Sequence, residues 1–322
     1  MHRIMRRLPL LAFAFLGLAV ANPAAAADKL RVGKTTPQGY AFVPVDVGVQ
    51  HGFFSKYGLE IEIVNFTGGA RLHQGMVAGA ADIALGSGPD FAFLVKGAPE
   101  IGVADYADPP LDMALTVPYD SPVKTIDDLK GKKIGVTGSG AMTHWLALEL
   151  AHVKNWGKDG VTPVFLGGDR PAQVAGLITH QVDAVISDPA LGFQLEESKQ
   201  GRVLAPASSY VKDFMTHIIF ASNDLVKSNP DAVKRFLRGW FETIAYMRAN
   251  KAEVVKIAVP VTGMSESVAG REYDFVTPSF TADGKFNVKG LEPIARSFVD
   301  LEVFDKEPDL SKYWTEAYLP GK

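Results

Sequence analysis

QGMVAGAADIALGSGPD (residues 74–90) and AGLITHQVDAVISDPA (residues 175–190) read as two copies of one unit. Each begins with a short amphipathic helix and a tight turn, followed by an aspartate, Asp82 or Asp183. A run of small and branched apolar residues comes next, ending in a break at Gly88-Pro89 or Asp188-Pro189. A helix that feeds directly into a fully apolar strand is half of a parallel α/β unit. Its recurrence a hundred or so residues later predicts two similar α/β lobes. Ligands of open α/β sheets sit beyond the carboxyl ends of the strands. The loops at Gly86-Ser87-Gly88 and Ser187-Asp188-Pro189 are therefore expected to face a common cleft.

The flanking sequence extends this pattern. Strands are predicted near 30–33, 59–66, 101–103, 113–117, 134–136, 161–166, 203–204 and 217–221, with helices over 43–50, 70–77, 142–153 and 171–179. Thr125 and Asp128 frame a capping box. Pro118-Tyr119-Asp120-Ser121-Pro122 is a breaker cluster, expected to carry the chain from one lobe to the other, and 217–221 is expected to bring it back. From 231 onward the pattern is helical and amphipathic, over 231–250, 253–259, 265–275, 288–300 and 311–317. Such helices need a surface to cover, and the first lobe is the expected one.

The 322 residues suffice for two cores. Arg3, Arg6 and Arg7, the apolar run 8–20 and the small residues 22–27 have the form of a secretory signal, 1–26, cut after Ala26 or Ala27. The run is too short to span a bilayer comfortably. Its removal takes away three arginines and no acidic residue, moving the formal net charge from −3 to −6. That balance speaks against a nucleic-acid partner. The chain has no cysteine, which excludes a thiol nucleophile, a thiolate metal site and a lipid-anchored cysteine. A free periplasmic monomer is the expectation.

Other chemistries lack their residues. Gly135, Gly138 and Gly140 have the reverse of dinucleotide-loop spacing. There is no phosphate-binding P-loop and no G-x-S-x-G nucleophile elbow, and the seven histidines include no H-E-x-x-H pair. No catalytic residue, metal or cofactor is expected.

GFFSKYGLEIEIVNFTGGARLHQGMVAGAADIALGS (residues 52–87) resembles the extracytoplasmic solute-binding proteins of ABC importers. The resemblance is to the nitrate, sulfonate and taurine branch, which also contains binders of pyrimidine precursors. IDDLKGKKIGVTGSGAMTHW (126–145), HQVDAVISDPA (180–190) and SNPDAVKRFL (228–237) match its later landmarks in order. The resemblance implies an α/β fold of the type II periplasmic-binding kind, with two lobes joined by two crossover strands and closing on a ligand, and with the helical tail on lobe 1. Lobe 1 is expected over 27–117 and 218–322, and lobe 2 over 118–217. The implied partners are a small solute and an inner-membrane ABC permease.

On that fold the ligand loops are five. Thr36, Gln38 and Tyr40 offer hydrogen bonds and a ring face. Gly69 and Ala70 open a helix whose free N–H groups favour an anion, with Arg71 beside them or in solvent. Ser87 and Gly88 give a hydroxyl and bare backbone. Ser139, Gly140 and Thr143 form a second helix start, where Ser139 can equally cap its own helix. Asp188 suits a ligand with N–H donors and repels a sulfonate. His217 reaches the cleft or is hydrogen-bonded in the core. Phe91, Phe93 and Trp145 stack a ring or belong to the core. Helix starts favour a sulfonate-, nitrate- or taurine-like anion, which is the expected ligand; Asp188 and the aromatics favour the alternative, a pyrimidine-like heterocycle. An enzyme related to pyrimidine-precursor synthases is the third reading, opposed by the export signal and the lack of cysteine.

Overall fold

The computed structural model describes residues 27–321; the expected export segment 1–26 lies outside them. In chain order the strands are β1 (Asp28–Lys34), β2 (Leu59–Asn65), β3 (Ile83–Ser87), β4 (Glu100–Ala107), β5 (Ala114–Pro118), β6 (Lys133–Val136), β7 (Thr162–Phe165), β8 (Ala184–Ser187), β9 (Gly201–Pro206) and β10 (His217–Ser222). The α-helices are α1 (Val43–Gln50), α2 (Gly69–Val77), α3 (Phe91–Val95), α4 (Met142–Val153), α5 (Arg170–Ile178), α6 (Pro189–Glu197), α7 (Asn223–Ser228), α8 (Pro230–Ala249), α9 (Lys251–Thr262), α10 (Glu266–Val276) and α11 (Leu291–Asp300).

Two five-stranded sheets have the same plan: β2-β1-β3-β10-β4 and β7-β6-β8-β5-β9. Each is parallel except for one strand, β10 or β5, which has just arrived from the other lobe and runs antiparallel to both neighbours. The echo in the sequence maps onto this symmetry. Asp82 Oδ2 accepts the Arg31 backbone N–H at 2.8 Å and Asp183 Oδ2 accepts that of Lys133 at 2.9 Å. In return the two aspartate N–H groups donate to the Arg31 and Lys133 carbonyls. Each aspartate thus starts its strand by tying it to the neighbouring one. β8 is buried along its whole length and β3 nearly so, as expected of strands covered on both faces. A side chain at Gly33 on β1 would place its Cβ 2.3 Å from Leu72, so glycine lets α2 lie close on the sheet.

One expectation is corrected. The strand at 114–118 pairs with β8 and β9, so it belongs to the second sheet. The chain crosses at 108–113, before that strand rather than at the breaker cluster 118–122. It returns through 207–216, so His217 already stands in the first sheet, opposite Ser87 and Ala107. The expected lobe limits at 117/118 and 217/218 shift accordingly. Three helices, α3, α6 and α7, lie where no helix was read, and 311–317 holds only a single turn, Ser311–Tyr313.

The tail is helical and packs α8 and α9 on α1 of the first lobe. Trp240, Phe236 and Phe54 are at most 1% exposed there. Burial of such side chains contributes on the order of 2 kcal/mol each. Asn229 and Ser265 cap α8 and α10 by accepting N–H bonds from Ala232 and Val268. Two tail helices also reach the second lobe. α10 packs on α6, and α11 lies between the 88–90 turn and α4, where Arg296 pairs with Glu149 at 2.6 Å.

Candidate functional site

The pairing registers fix where the lobes meet. The second crossing ends at His217, opposite Ser87 at the carboxyl end of β3. The first ends at Ala114, opposite Ser187 at the carboxyl end of β8. Both crossings therefore run past the carboxyl ends of the central strands, and the loops there share one seam.

Asp188 stands at the end of β8 and caps α6, accepting the Leu191 N–H at 3.2 Å. Arg170, the first residue of α5, holds Asp188 Oδ2 at 3.1 Å and Gln194 Oε1 at 3.1 Å. Asp112 lies in the first crossing, with Oδ1 buried and unpartnered. From the tail, α10 supplies Glu272. It is 1% exposed and its Oε2 has no hydrogen-bond partner among the described residues. Burial pushes the Glu272 carboxyl well above the usual range; the nearby charges of Asp188 and Asp112 push it further, and Arg170 offsets them in part.

His217 is fully engaged. Nδ1 lies 3.1 Å from the Gly86 carbonyl and Nε2 2.5 Å from Asp112 Oδ2. A carbonyl and a carboxylate both require a donor, so the ring carries both protons. Burial opposes that charge, but Asp112 and the Gly86 carbonyl outweigh it and raise the pKa. Tyr106 stacks on the ring at 5.3 Å and Phe42 meets it edge-on at 5.2 Å.

The expected ligand residues divide. Thr36, Gln38, Ala70, Ser139 and Gly140 are exposed at the strand ends, and Ser87 is half-buried there. Gly140 has φ +75° and open space around it. Asp188 faces the seam. Other expected residues are engaged within the protein itself. Tyr40 is 1% exposed, its hydroxyl 3.2 Å from Thr277 Oγ1. Gly88 is closed off, since a Cβ there would meet the Met215 carbonyl at 2.4 Å and Ile294 at 2.6 Å. Gly69 lies against the Asp90 carboxylate. Thr143 Oγ1 accepts the Thr137 N–H at 2.9 Å and so shapes its own loop. His217 has no nitrogen left for a ligand. Arg71 is exposed. Phe91 and Trp145 are core, Trp145 stacked on Phe214 at 4.6 Å, and Phe93 stacks on His73.

Behind Ser87 lies a buried triad. His73 Nδ1 meets Glu100 Oε2 at 2.8 Å, and Nε2 lies 3.4 Å from Asp90 Oδ2, which also accepts the Ser87 N–H at 2.8 Å. Burial disfavours the imidazolium, yet Asp90 and then Glu100 prevail and push His73 up to about 10. Two surface cavities, of about 430 Å³ beside Arg248 and Tyr273 and about 410 Å³ beside Arg31 and Met76, lie elsewhere.

The sequence reading did not single out Asp112 or Arg170.

Two α/β lobes of identical strand order, crossed twice by the chain and meeting at polar strand ends, define the periplasmic-binding-protein fold. The chain belongs to the NMT1/THI5-like family, whose model matches residues 40–254. A Haemophilus influenzae protein named for thiamine biosynthesis is 27% identical over 255 residues, 74% of this chain and 75% of that protein. The Saccharomyces cerevisiae 4-amino-5-hydroxymethyl-2-methylpyrimidine phosphate synthase THI11 is 25% identical over 227 residues, 66% of this chain and 65% of that one. In structure, the Escherichia coli periplasmic aliphatic sulphonate binding protein SsuA superposes with a TM-score of 0.75 at 20% identity, covering 92% of this chain and 94% of that one.

Proposed function

We propose that this chain is an extracytoplasmic receptor that closes its lobes on a small amino-substituted aromatic heterocycle of pyrimidine type and presents it to an ABC import permease. The observation that carries the ligand class is the pair of carboxylates at the strand ends, Asp188 after β8 and Asp112 in the first crossing, whose Oδ1 has no hydrogen-bond partner among the described residues. The nearest cations, Arg170 and His217, are each already bound to a carboxylate. What the inner seam has to offer is therefore hydrogen-bond acceptance, which favours a ligand rich in N–H groups over an anion. The names of the thiamine-related relatives agree with this choice.

An aliphatic sulfonate is the second reading, favoured by the exposed helix starts at Ala70 and Gly140. Binding without turnover is proposed for either ligand. Isothermal titration of the protein against 4-amino-5-hydroxymethyl-2-methylpyrimidine and against an alkanesulfonate separates the two, and analysis of the recovered ligand checks for turnover. Binding of the sulfonate alone would overturn the pyrimidine reading; a chemically altered ligand would overturn the receptor.

A further inference from the structure

Three buried charges lie directly behind the strand ends of the first lobe. His73 stands one turn into α2, Asp90 closes the 88–90 turn after β3, and Glu100 begins β4. They are 1%, 7% and 5% exposed. Both imidazole nitrogens face carboxylates, Nδ1 at 2.8 Å from Glu100 Oε2 and Nε2 at 3.4 Å from Asp90 Oδ2, so the ring is an imidazolium. Phe93 stacks on it at 4.8 Å and Phe220 meets it edge-on at 5.3 Å. One positive and two negative charges leave the triad net negative. Buried ion clusters seldom add stability over apolar packing, which points to a role besides stability.

Asp90 is where the triad meets the strand ends. Its Oδ2 accepts the Ser87 N–H at 2.8 Å, at the carboxyl end of β3. A Cβ on Gly69 would collide with Asp90 Oδ1, so the same carboxylate lies against the first residue of α2. The positive end of that helix is thus already complemented by an anion of the protein's own. Ser87 is half-buried and Ala70 exposed at the seam, and one carboxylate fixes the segments of both. We propose that His73 is a positioning residue for ligand binding: by holding Asp90 it sets the Ser87 and Gly69 segments, and the net negative triad turns anionic ligands away from the start of α2. This rests on the receptor reading and says how the first lobe acts in it.

The charged groups facing the ring are Asp90 from the 88–90 turn and Glu100 from β4. Phe93 of α3 and Phe220 of β10, the other groups packed on it, carry no charge, and Arg71 on its own helix is exposed. The imidazolium persists until pH rises through about 10. Loss of its proton leaves two carboxylates facing a neutral ring, and Asp90 loses the charge that holds it. Ligand affinity therefore holds across neutral pH and falls as pH passes about 10.

The test is titration calorimetry with 4-amino-5-hydroxymethyl-2-methylpyrimidine and with an alkanesulfonate, from neutral pH to above about 10. The proteins are the wild type, His73→Gln and Asp90→Asn, with melting temperatures to confirm folding. Amide hydrogen exchange at Ser87, read against Asp183 in the second lobe, follows the positioning without any ligand. Glutamine keeps a hydrogen-bonding amide but no titratable charge. For His73→Gln the expected result is pyrimidine affinity weaker by about tenfold at neutral pH with no alkaline limb, and faster exchange at Ser87 but not at Asp183. Asp90→Asn keeps an acceptor for the Ser87 N–H and removes a negative charge, so sulfonate binding should rise severalfold. No such gain would overturn the exclusion of anions. Equal pyrimidine affinity and an equal alkaline limb in wild type and His73→Gln would overturn the positioning role while leaving the receptor reading intact. If the wild type binds no pyrimidine, that ligand class falls, and exchange decides the rest: a selective loss of protection at Ser87 in His73→Gln upholds the positioning role, and unchanged protection overturns it.

Discussion

Asp112 and His217 meet at 2.5 Å, and through them the two chain crossings are clasped to each other. Asp112 belongs to the outgoing crossing and His217 begins the strand that completes the return. The pair sits where the chain passes between the two sheets. Tyr106 and Phe42 pack on the imidazole and keep water away.

Removing the histidine leaves Asp112 buried without a counter-charge. His217→Ala is expected to destabilise the protein by about 3 kcal/mol, and Asp112→Asn by less, since the amide is neutral. Denaturant unfolding checks both. A loss below about 0.5 kcal/mol for His217→Ala would contradict the clasp.

The buried triad gives a pH signature. The His73 ring is pushed up to about 10 in the folded protein, against an ordinary value near 6.5. The folded state therefore binds its proton more tightly than the unfolded chain, and this stabilisation is complete below about pH 6.5. It is lost as pH rises through about 10. The stability gap between wild type and His73→Gln should accordingly narrow across that window in thermal melts at stepped pH. A gap that widens on alkalinisation would contradict the charged triad.

Two glycines at loops of similar appearance should respond in different ways. Gly88→Ala drives a Cβ against the Met215 carbonyl and Ile294, and is expected to cost about 1–3 kcal/mol. Gly140→Ala meets open space and pays only for its φ of +75°, roughly 1 kcal/mol. Equal effects would mean that the 88–90 turn is not closed off by α11.

Arg271 links α10 to the second lobe without touching the seam's carboxyls. Because it is 41% exposed and Glu196 27%, the ion pair is worth no more than about 1 kcal/mol. If that energy favours closed lobes, Arg271→Ala weakens ligand affinity by up to about fivefold. Small-angle scattering should show a larger unliganded particle. Unchanged affinity and size would show that the contact persists in both arrangements.

The repeated unit was legible because Asp82 and Asp183 introduce strands whose burial on both faces leaves an unbroken apolar run. The crossing was not, for a local reason. Pro118-Tyr119-Asp120-Ser121-Pro122 and Asp108-Pro109-Pro110 both read as breaks, and only pairing with β8 and β9 shows which one changes sheets. Helix α6 was hidden by Pro189, which read as a stop although it stands in the first turn after the Asp188 cap. Of the candidate site, the strand-end positions, Asp188 among them, followed from topology. Gly88 and Thr143 were not distinguishable from ligand residues, because Ile294 and Thr137 reach them only once the chain is folded.

The most direct test is titration of the purified protein with 4-amino-5-hydroxymethyl-2-methylpyrimidine and, in parallel, with an alkanesulfonate. The account predicts saturable binding of the pyrimidine at one site per chain and none of the sulfonate. Saturable sulfonate binding with no response to the pyrimidine would contradict it.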